Sequence, residues 1–234
     1  MMPVRNAELE IARSLYSIWA QTHTNWRIVV INDASTDSTL SEIERFQSKF
    51  RLPEEKLLII DNEEQQYALP NIITGINESD ESDIICHIDG DDWLCDMDAL
   101  SLINLRYETN PSIQALWTSH RWGFSHYNIS GMLPQNADPY THPWVSSHMK
   151  TFRASTFRNI NDKNFRNEEG EYFQRVADQA LYLPILYNSN GNWFHEPFVS
   201  YHYSIEVKED TFQSEDAKYQ KLEADYLRIR GFLI

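Results

Sequence analysis

A chain of 234 residues with 41% hydrophobic side chains can bury a sizeable core, which excludes an intrinsically disordered protein. Its 35 acidic residues against 20 basic ones give a net charge of −15, and this balance excludes a nucleic-acid backbone as the main partner. The same charge repels anionic ligands, so an anionic substrate would need a cation at its binding site.

Strands and helices alternate along the first half of the chain. Short runs of Ile, Val and Leu predict strands that are buried on both faces, at residues 26–33, 56–60, 83–88 and 113–119. Apolar residues at helical spacing predict helices between them, at residues 6–21, 35–50, 71–80 and 98–111. This alternation predicts an α/β fold with a mostly parallel central sheet flanked by helices. Ligands of such sheets bind at the carboxyl ends of the strands.

The second half of the chain has a weaker pattern. Residues 120–170 are rich in aromatics, His, Asn and Pro, and they predict long loops over the face of the sheet. A helix follows at 171–189, bent or ended near Pro184, and then a hairpin or two short strands at 191–204. An amphipathic C-terminal helix is predicted at 214–232. No linker separates these elements, and we predict a single domain.

Cysteine content and hydropathy bear on the compartment. Cys86 and Cys95 are too few for a disulfide framework and form no metal-binding pair of the CxxC type. No apolar run in the sequence approaches the roughly 20 residues of a membrane span. We therefore expect a cytoplasmic protein without a transmembrane segment or a signal peptide.

Four aspartates occupy eight positions directly after the third predicted strand, in the sequence CHIDGDDWLCD. Asp89 and Asp91 are two residues apart, and such residues face the same side of an extended chain. A turn at the strand end can aim both carboxylates at one point, where Mg²⁺ or Mn²⁺ binds oxygen ligands and keeps positions open for phosphate. The alternative is an acidic turn in which Asp96 or Asp98 caps the next helix. The position directly after a buried strand favours the metal site.

A second polar turn, NDASTDST, follows the first predicted strand. Ser35, Asp37 or Ser38 fits the N-cap of the next helix. Asp33 lies before the turn, at the tip of the strand, where its carboxylate could accept hydrogen bonds from a base or a ribose. This turn therefore predicts both a helix start and a ligand contact.

The segments PVRN, NDASTDST, HIDGDDWL and ADQAL, in this order and spacing, resemble the family 2 glycosyltransferases with the A-type nucleotide-sugar-binding fold. The family pattern continues through QTHTNWRIVVINDASTDST, where Asn32 and Ala34 are mild departures. The resemblance covers residues 1–205 and implies a single-domain, Rossmann-like fold. A nucleotide-sugar-binding half would occupy residues 1–118, and an acceptor-binding and base-bearing half would occupy 119–205. A C-terminal helix would follow at 206–234.

The family normally opens with a strand that carries part of the nucleotide-binding wall. The segment MMPVRN, which precedes the first predicted helix, leaves almost no room for such a strand. We therefore expect the chain to lack its first strand, as a fragment or a trimmed start would, and to have an unpaired sheet edge.

The resemblance also implies roles for individual residues. Pro3 would line the nucleotide pocket, and Asp33 would hold the base, usually uracil. Asp89 would contact the ribose or the metal, and Asp91 would coordinate the metal that bridges the diphosphate. Asp92 would assist donor binding, His202 would complete the metal site, and Arg153 would face the diphosphate.

Asp178, in the segment RVADQALYLP, matches the acidic motif that supplies the general base in this family. The family commonly has Glu-Asp at this point, whereas this chain has Ala177 before Asp178, so a neighbouring carboxylate is missing. The residues by themselves leave alternatives open. A single Asp on a helix also fits a surface or capping residue, His202 fits a packed strand-end histidine, and Arg153 fits a partner of surface carboxylates.

The function that the resemblance implies is a metal-dependent, inverting glycosyltransferase. It would use Mn²⁺ or Mg²⁺, a nucleotide diphosphate sugar that is UDP-linked in most of the family, and a hydroxyl acceptor such as a saccharide. A nucleotidyltransferase is one alternative, but it usually opens with a glycine-rich phosphate loop, and the seven glycines here form none. A non-catalytic carbohydrate- or nucleotide-binding protein is another, and it would fit the aromatic residues Trp117, Trp122 and Trp144.

Overall fold

A computed structural model describes residues 1–125, 127–204 and 214–234. Its strands are β1 (Met2–Val4), β2 (Ile28–Asn32), β3 (Leu57–Asp61), β4 (Ile84–His87), β5 (Trp93–Leu94), β6 (Ala115–Trp122), β7 (Lys150–Arg153) and β8 (Trp193–Tyr203). Its helices are α1 (Ile11–Trp19), α2 (Thr39–Phe50), α3 (Ala68–Asn77), α4 (Ala99–Thr109), α5 (Ala154–Arg158), α6 (Ala177–Ser189) and α7 (Glu215–Arg230). The predicted regions 119–205 and 206–234 each fall partly outside the described residues.

Two groups of hydrogen-bonded strands meet at β1. The first group is parallel and has the order β1-β2-β3, and the second has the order β4-β7-β6-β8-β5. The amide of Ile88 donates to the carbonyl of Met1 (3.1 Å), and the amide of Gly90 donates to the carbonyl of Pro3 (3.2 Å). The chain that leaves β4 therefore runs along the edge of β1 and joins the two groups into one surface.

The expectation that the first strand is missing is wrong. Residues Met2–Val4 form it and pair with β2 in a parallel register that sets Met2 opposite Val30. Three residues suffice because β2 on one side and the segment after β4 on the other both supply backbone hydrogen bonds. A pattern search that requires a longer apolar run cannot find such a strand.

The central sheet contains both parallel and antiparallel pairs. Pairs β1–β2, β2–β3 and β6–β8 are parallel, whereas β4–β7, β6–β7 and β5–β8 are antiparallel. Strand β7 lies in the region that was predicted to form loops. The hydrophobicity pattern did not indicate a strand there because β7 contains Lys and Thr residues. Strand β8 is one strand and not a hairpin, since the register shift opposite Ser119 accommodates Pro197, which has no N–H to donate.

Helices cover both faces of the sheet, and each face has its own apolar core. On one face, α1, α2 and α4 contribute Ile11, Leu15, Ile43, Phe46 and Ile103. On the other face, α3 and α6 contribute Leu69, Ile72, Leu181, Leu183 and Leu186. Helix α6 does not end near Pro184 but continues to Ser189, buried on most sides. None of the helices in the described part of the chain has the length and apolarity that a membrane crossing requires.

Candidate active site

Several of the predicted residues lie at one edge of the sheet, where β2 and β4 end. Asp33 directly follows β2, and Asp89 follows β4 by two residues. Strand β7 begins at this edge, because Lys150, its first residue, pairs with His87, the last residue of β4. Helix α6 begins here too, and Asp178 in its first turn contacts Lys150. The fold therefore gathers four chain segments around a single acidic edge.

The carboxylate of Asp89 lies between two histidines. Its Oδ1 is 3.1 Å from Nε2 of His87, and its Oδ2 is 3.9 Å from Nδ1 of His148. Burial by itself raises the pKa of Asp89, but His87, which lies within hydrogen-bonding distance, holds that pKa below its ordinary value. Asp89 is therefore an ionised carboxylate at neutral pH and is available to a cation.

Asp92 is fully buried and anchors the end of β8. Its carboxylate accepts hydrogen bonds from the Tyr201 hydroxyl (2.8 Å) and from the amide (2.8 Å) and hydroxyl (3.0 Å) of Ser204. Burial and the negative charges of Asp89 and Asp91 raise the pKa of Asp92 to about 8. Burial and Asp89 raise the pKa of Asp91 to about 6. The three carboxyl groups repel one another, and a bound cation would relieve that repulsion.

A group of possible metal ligands consists of Asp89, Asp92 and His148, whose ligand atoms all lie within 4.8 Å of one another. Burial and then Lys150 lower the pKa of His148 to about 3, so its imidazole is neutral, the form that binds metal ions. The ring of His148 stacks against the rings of Tyr201 and Tyr203, with centroid distances of 4.9 Å each. These contacts fix the orientation of the imidazole.

His202, which was predicted as a metal ligand, lies outside this group. It pairs with Trp93 across β5 and β8, and the two rings stack at a centroid distance of 3.7 Å. Alternate residues of β8 face opposite sides of the sheet, so Tyr201 faces Asp92 while His202 packs on Trp93. Among the described residues, the candidate ligand group contains His148, and the role of His202 stays a prediction.

Arg153, which was predicted to face the diphosphate, lies at the other end of β7. It pairs with Ile84, the first residue of β4, whereas the site lies beyond the last residue of β4. Its guanidinium donates to the carbonyls of Ile113 (2.8 Å) and Pro111 (3.2 Å). Arg153 therefore closes a loop at the opposite edge of the sheet, and the structure separates it from the acidic site.

Asp178 lies in the first turn of α6 and forms an ion pair with a buried lysine. Its Oδ1 is 2.7 Å from Nζ of Lys150, and its Oδ2 is 3.8 Å from Nε2 of His148. Burial raises the pKa of Asp178, but the charge of Lys150 more than offsets this and holds the pKa well below its usual range. The positive end of the α6 dipole favours the same ionised form. Asp178 is therefore ionised at neutral pH, the form that a general base requires, although the same contacts lower its affinity for a proton.

Pro3 and Asp33 lie at the same edge of the sheet: the Pro3 carbonyl accepts a hydrogen bond from the amide of Gly90 (3.2 Å), and Asp33 directly follows β2. The Asp33 carboxylate accepts hydrogen bonds from the amides of Gln66 (2.7 Å) and Tyr67 (3.0 Å) and from the side chain of Asn62 (3.1 Å). The loop between β3 and α3 is therefore held against the tip of β2. Any contact of Asp33 with a nucleoside would be made by a carboxylate that the protein has already oriented.

Gly90 lets the acidic turn pack against β1, and we expect Gly90→Ala to lower stability. An added methyl group would lie 2.4 Å from Cγ2 of Val4, and overpacking of this kind costs roughly 1–3 kcal/mol. Chemical denaturation of the variant would measure the loss. Gly131→Ala is the matched control, because its added methyl group meets only Val145, at 3.8 Å or more. Equal stability of the two variants would contradict the close packing at Gly90.

The family model for glycosyl transferase family 2 matches residues 1–165, which is well over half of the chain. The chain belongs to this family. The matched region includes the acidic turn, His148 and Lys150, and it ends before α6 and Asp178. The family that the sequence motifs predicted is therefore confirmed.

This family 2 chain is similar in sequence to a named glycosyltransferase and similar in fold to two solved structures. Glycosyltransferase GlyA of Streptococcus pneumoniae serotype 4 is 24% identical over 206 residues, which are 78% of this chain and 29% of GlyA. A crystal structure of S. aureus TarS in complex with UDP-GlcNAc has a TM-score of 0.67 and 16% identity, over 100% of this chain and 66% of that one. Mannosyltransferase PcManGT from Pyrobaculum calidifontis, in complex with GDP-Man and Mn²⁺, has a TM-score of 0.62 and 16% identity, over 89% of this chain and 56% of that one. The predicted α/β fold is confirmed, and the chain spans under a third of the length of GlyA.

Sequence reasoning missed three residues of the site in this family 2 chain. His87, His148 and Lys150 are all buried, and each contacts Asp89 or Asp178. No local signal marks His148 and Lys150, because they lie in a short polar segment and His148 precedes the first residue of β7.

Proposed function

We propose that this family 2 protein is a metal-dependent, inverting glycosyltransferase that moves a sugar from a UDP-linked donor to a hydroxyl of a saccharide. The observation that carries the proposal is the position of His148. Its Nδ1 faces Asp89 of the candidate metal group, and its Nε2 faces Asp178, the candidate base. A diphosphate beside Asp89 and an acceptor hydroxyl beside Asp178 would be neighbours, as a direct displacement requires.

The residues present fit a divalent cation. Two carboxylates and a neutral imidazole suit Mn²⁺, and the carboxylates also suit Mg²⁺. Asp89, Asp92 and His148 would hold the ion. Asp91, whose charge raises the pKa of the adjacent Asp92, lies outside this group and stays a predicted ligand. When bound, the ion supplies positive charge that stabilises the leaving diphosphate.

The chemistry assigned to the protein is removal of one proton. Asp178 accepts the proton of the acceptor hydroxyl, and the oxygen attacks the anomeric carbon of the donor. The new carbon–oxygen bond forms while the bond from that carbon to the diphosphate breaks, and the electron pair leaves with the nucleoside diphosphate. A single displacement of this kind inverts the configuration at the anomeric carbon. A positioned base typically contributes ~10²–10⁴-fold to the rate.

Uridine is the proposed nucleoside of the donor. TarS structures in complex with UDP and with UDP-GlcNAc support this choice, whereas PcManGT in complex with GDP-Man makes guanosine the alternative. Asp33 and Pro3 are the residues that we assign to the nucleoside side. Asp33 would act together with the loop of residues 62–67, whose amides it already binds.

Thermal denaturation with UDP, GDP, CDP and dTDP, each with and without Mn²⁺, tests the proposal. At 100 times its Kd, a ligand stabilises a protein by about 2.7 kcal/mol. For a domain of this size that corresponds to a rise in melting temperature of roughly 5–10 °C. We expect such a rise with UDP and Mn²⁺ together and a much smaller one with UDP alone.

Two outcomes would contradict parts of this proposal. Equal stabilisation by UDP with and without Mn²⁺ would show that donor binding does not require the metal. Metal-dependent UDP binding without any release of UDP from UDP-sugars would indicate the non-catalytic binding protein instead of the transferase.

A further inference from the structure

Lys150 has a fully buried side chain, and the mechanism above gives it no role. Its Nζ lies 2.7 Å from Oδ1 of Asp178 and 3.4 Å from Nδ1 of His148. A buried ammonium group is strongly unfavourable unless it has a counter-charge and hydrogen-bond acceptors. Asp178 supplies the counter-charge at hydrogen-bonding distance, so the position of Lys150 depends on this carboxylate.

The backbone and the neighbouring rings restrict where the ammonium group can lie. Strand β7 is paired on both sides, and Lys150 stands opposite His87 on one side and Trp117 on the other. The imidazole of His148 stacks against two tyrosine rings, those of Tyr201 and Tyr203. Lys150 is therefore a fixed donor rather than a mobile surface lysine.

The two carboxylate oxygens of Asp178 have different surroundings. Lys150 holds Oδ1, whereas Oδ2 accepts no hydrogen bond from any described residue and is 3.8 Å from Nε2 of His148. The side chain of Asp178 is 40% exposed, so this carboxylate reaches the open side of the site. One oxygen is thus tied to the protein core, and the other is left for an incoming proton.

We propose that Lys150 is the positioning residue of the candidate base: it fixes Oδ1 of Asp178 so that Oδ2 points to the acceptor hydroxyl. The inference rests on the proposed function, because it assigns Lys150 a part in the same proton transfer. Lys150 does not touch the reacting atoms and acts through Asp178. A double-mutant cycle separates this role from two others, a phosphate contact with the donor and a purely structural ion pair.

A double-mutant cycle tests this inference with Lys150→Met, Asp178→Asn and the double variant. Methionine keeps the length of the lysine stem without its charge, and Lys150→Arg serves as the conservative variant. Release of UDP from UDP-GlcNAc and UDP-glucose in Mn²⁺ gives kcat and the donor KM. Melting temperatures, with and without UDP and Mn²⁺, give stability and binding independently of turnover. Lys221→Met is the matched control, because Lys221 also pairs with an aspartate, Asp225, but is 74% exposed.

We expect Lys150→Met to lower kcat by roughly 10²-fold, the effect of misplacing a reacting group by about 1 Å. Donor KM and the stabilisation by UDP and Mn²⁺ should not change, and Lys150→Arg should recover part of kcat. In the Asp178→Asn background, Lys150→Met should lower kcat no further. Asp178→Asn should lower the melting temperature, since it leaves the buried ammonium group without its carboxylate, and adding Lys150→Met should restore it.

Three results would overturn the inference. A kcat within threefold of wild type in Lys150→Met would make the ion pair structural. A raised donor KM or a lost stabilisation by UDP would make Lys150 a donor contact. A wild-type protein that neither releases UDP nor is stabilised by any nucleoside diphosphate would overturn the proposed function, and this inference with it.

Discussion

Asp178→Asn is expected to lower the rate of UDP release by about 10²–10⁴-fold, the usual contribution of a positioned general base. The amide keeps the size of the side chain but cannot accept the proton of the acceptor. UDP binding in the presence of Mn²⁺ should persist, because Asp178 is not part of the candidate metal group. Turnover measured on UDP-sugars and UDP affinity measured by calorimetry check the two parts of this prediction.

The matched control for this substitution is Asp216→Asn. Asp216 also lies in the first turn of a helix, α7, and pairs with a cation, Arg175, at 3.3 Å. It is 78% exposed, and we expect its substitution to change neither turnover nor UDP affinity. Wild-type turnover in Asp178→Asn would remove Asp178 from the mechanism, whatever the control showed.

Asp89→Asn is expected to abolish most of the effect of Mn²⁺ on UDP binding. Loss of a residue that only supports a metal ligand typically costs 10–100-fold in metal affinity, and loss of a ligand should cost at least that much. Asp89 is the ionised carboxylate of the group and lies between His87 and His148. Calorimetric titration of UDP, with and without Mn²⁺, would measure the change. Glu81→Gln, an exposed acidic residue before the start of β4, is the control for loss of one negative charge.

Substitution of two histidines distinguishes the metal site predicted from the sequence, which includes His202, from the one that the structure supports, which includes His148. His148→Asn should weaken the effect of Mn²⁺ on UDP binding, whereas His202→Asn should preserve it, because His202 packs on Trp93. The reverse result would restore His202 as the ligand. A preserved effect of Mn²⁺ in Asp89→Asn would show that the metal is held elsewhere.

Much of the fold follows from local patterns. Strands β2, β3, β4 and β6 and helices α1 to α4 lie where apolar runs and helical spacing predict them. These signals are local, because a buried strand needs a continuous apolar run and an amphipathic helix needs its apolar face. Strand β1 was missed because it has only three residues, and β7 because its buried Lys150 and Thr151 look like surface residues.

The acidic edge could be anticipated in the same way. Asp33 and Asp89 follow buried strands, and the carboxyl ends of strands are where ligands of α/β sheets bind. Asp178 could be singled out only through the resemblance to a family, since a single Asp at the start of a helix has many explanations. His148 and Lys150 could not be found at all, because nothing in a short polar segment shows that it is buried.

The sequence by itself determined the family of this protein, the α/β class of its fold and the placement of acidic residues at the ends of two strands. Tertiary structure decided which side chains meet there. The antiparallel pairing of β7 with β4 brings Lys150 and His148 beside Asp89 and Asp178, although these segments are far apart in the chain. Such pairing depends on long-range backbone hydrogen bonds. A buried lysine is tolerated only where a carboxylate from another element reaches it, and no local pattern encodes either condition.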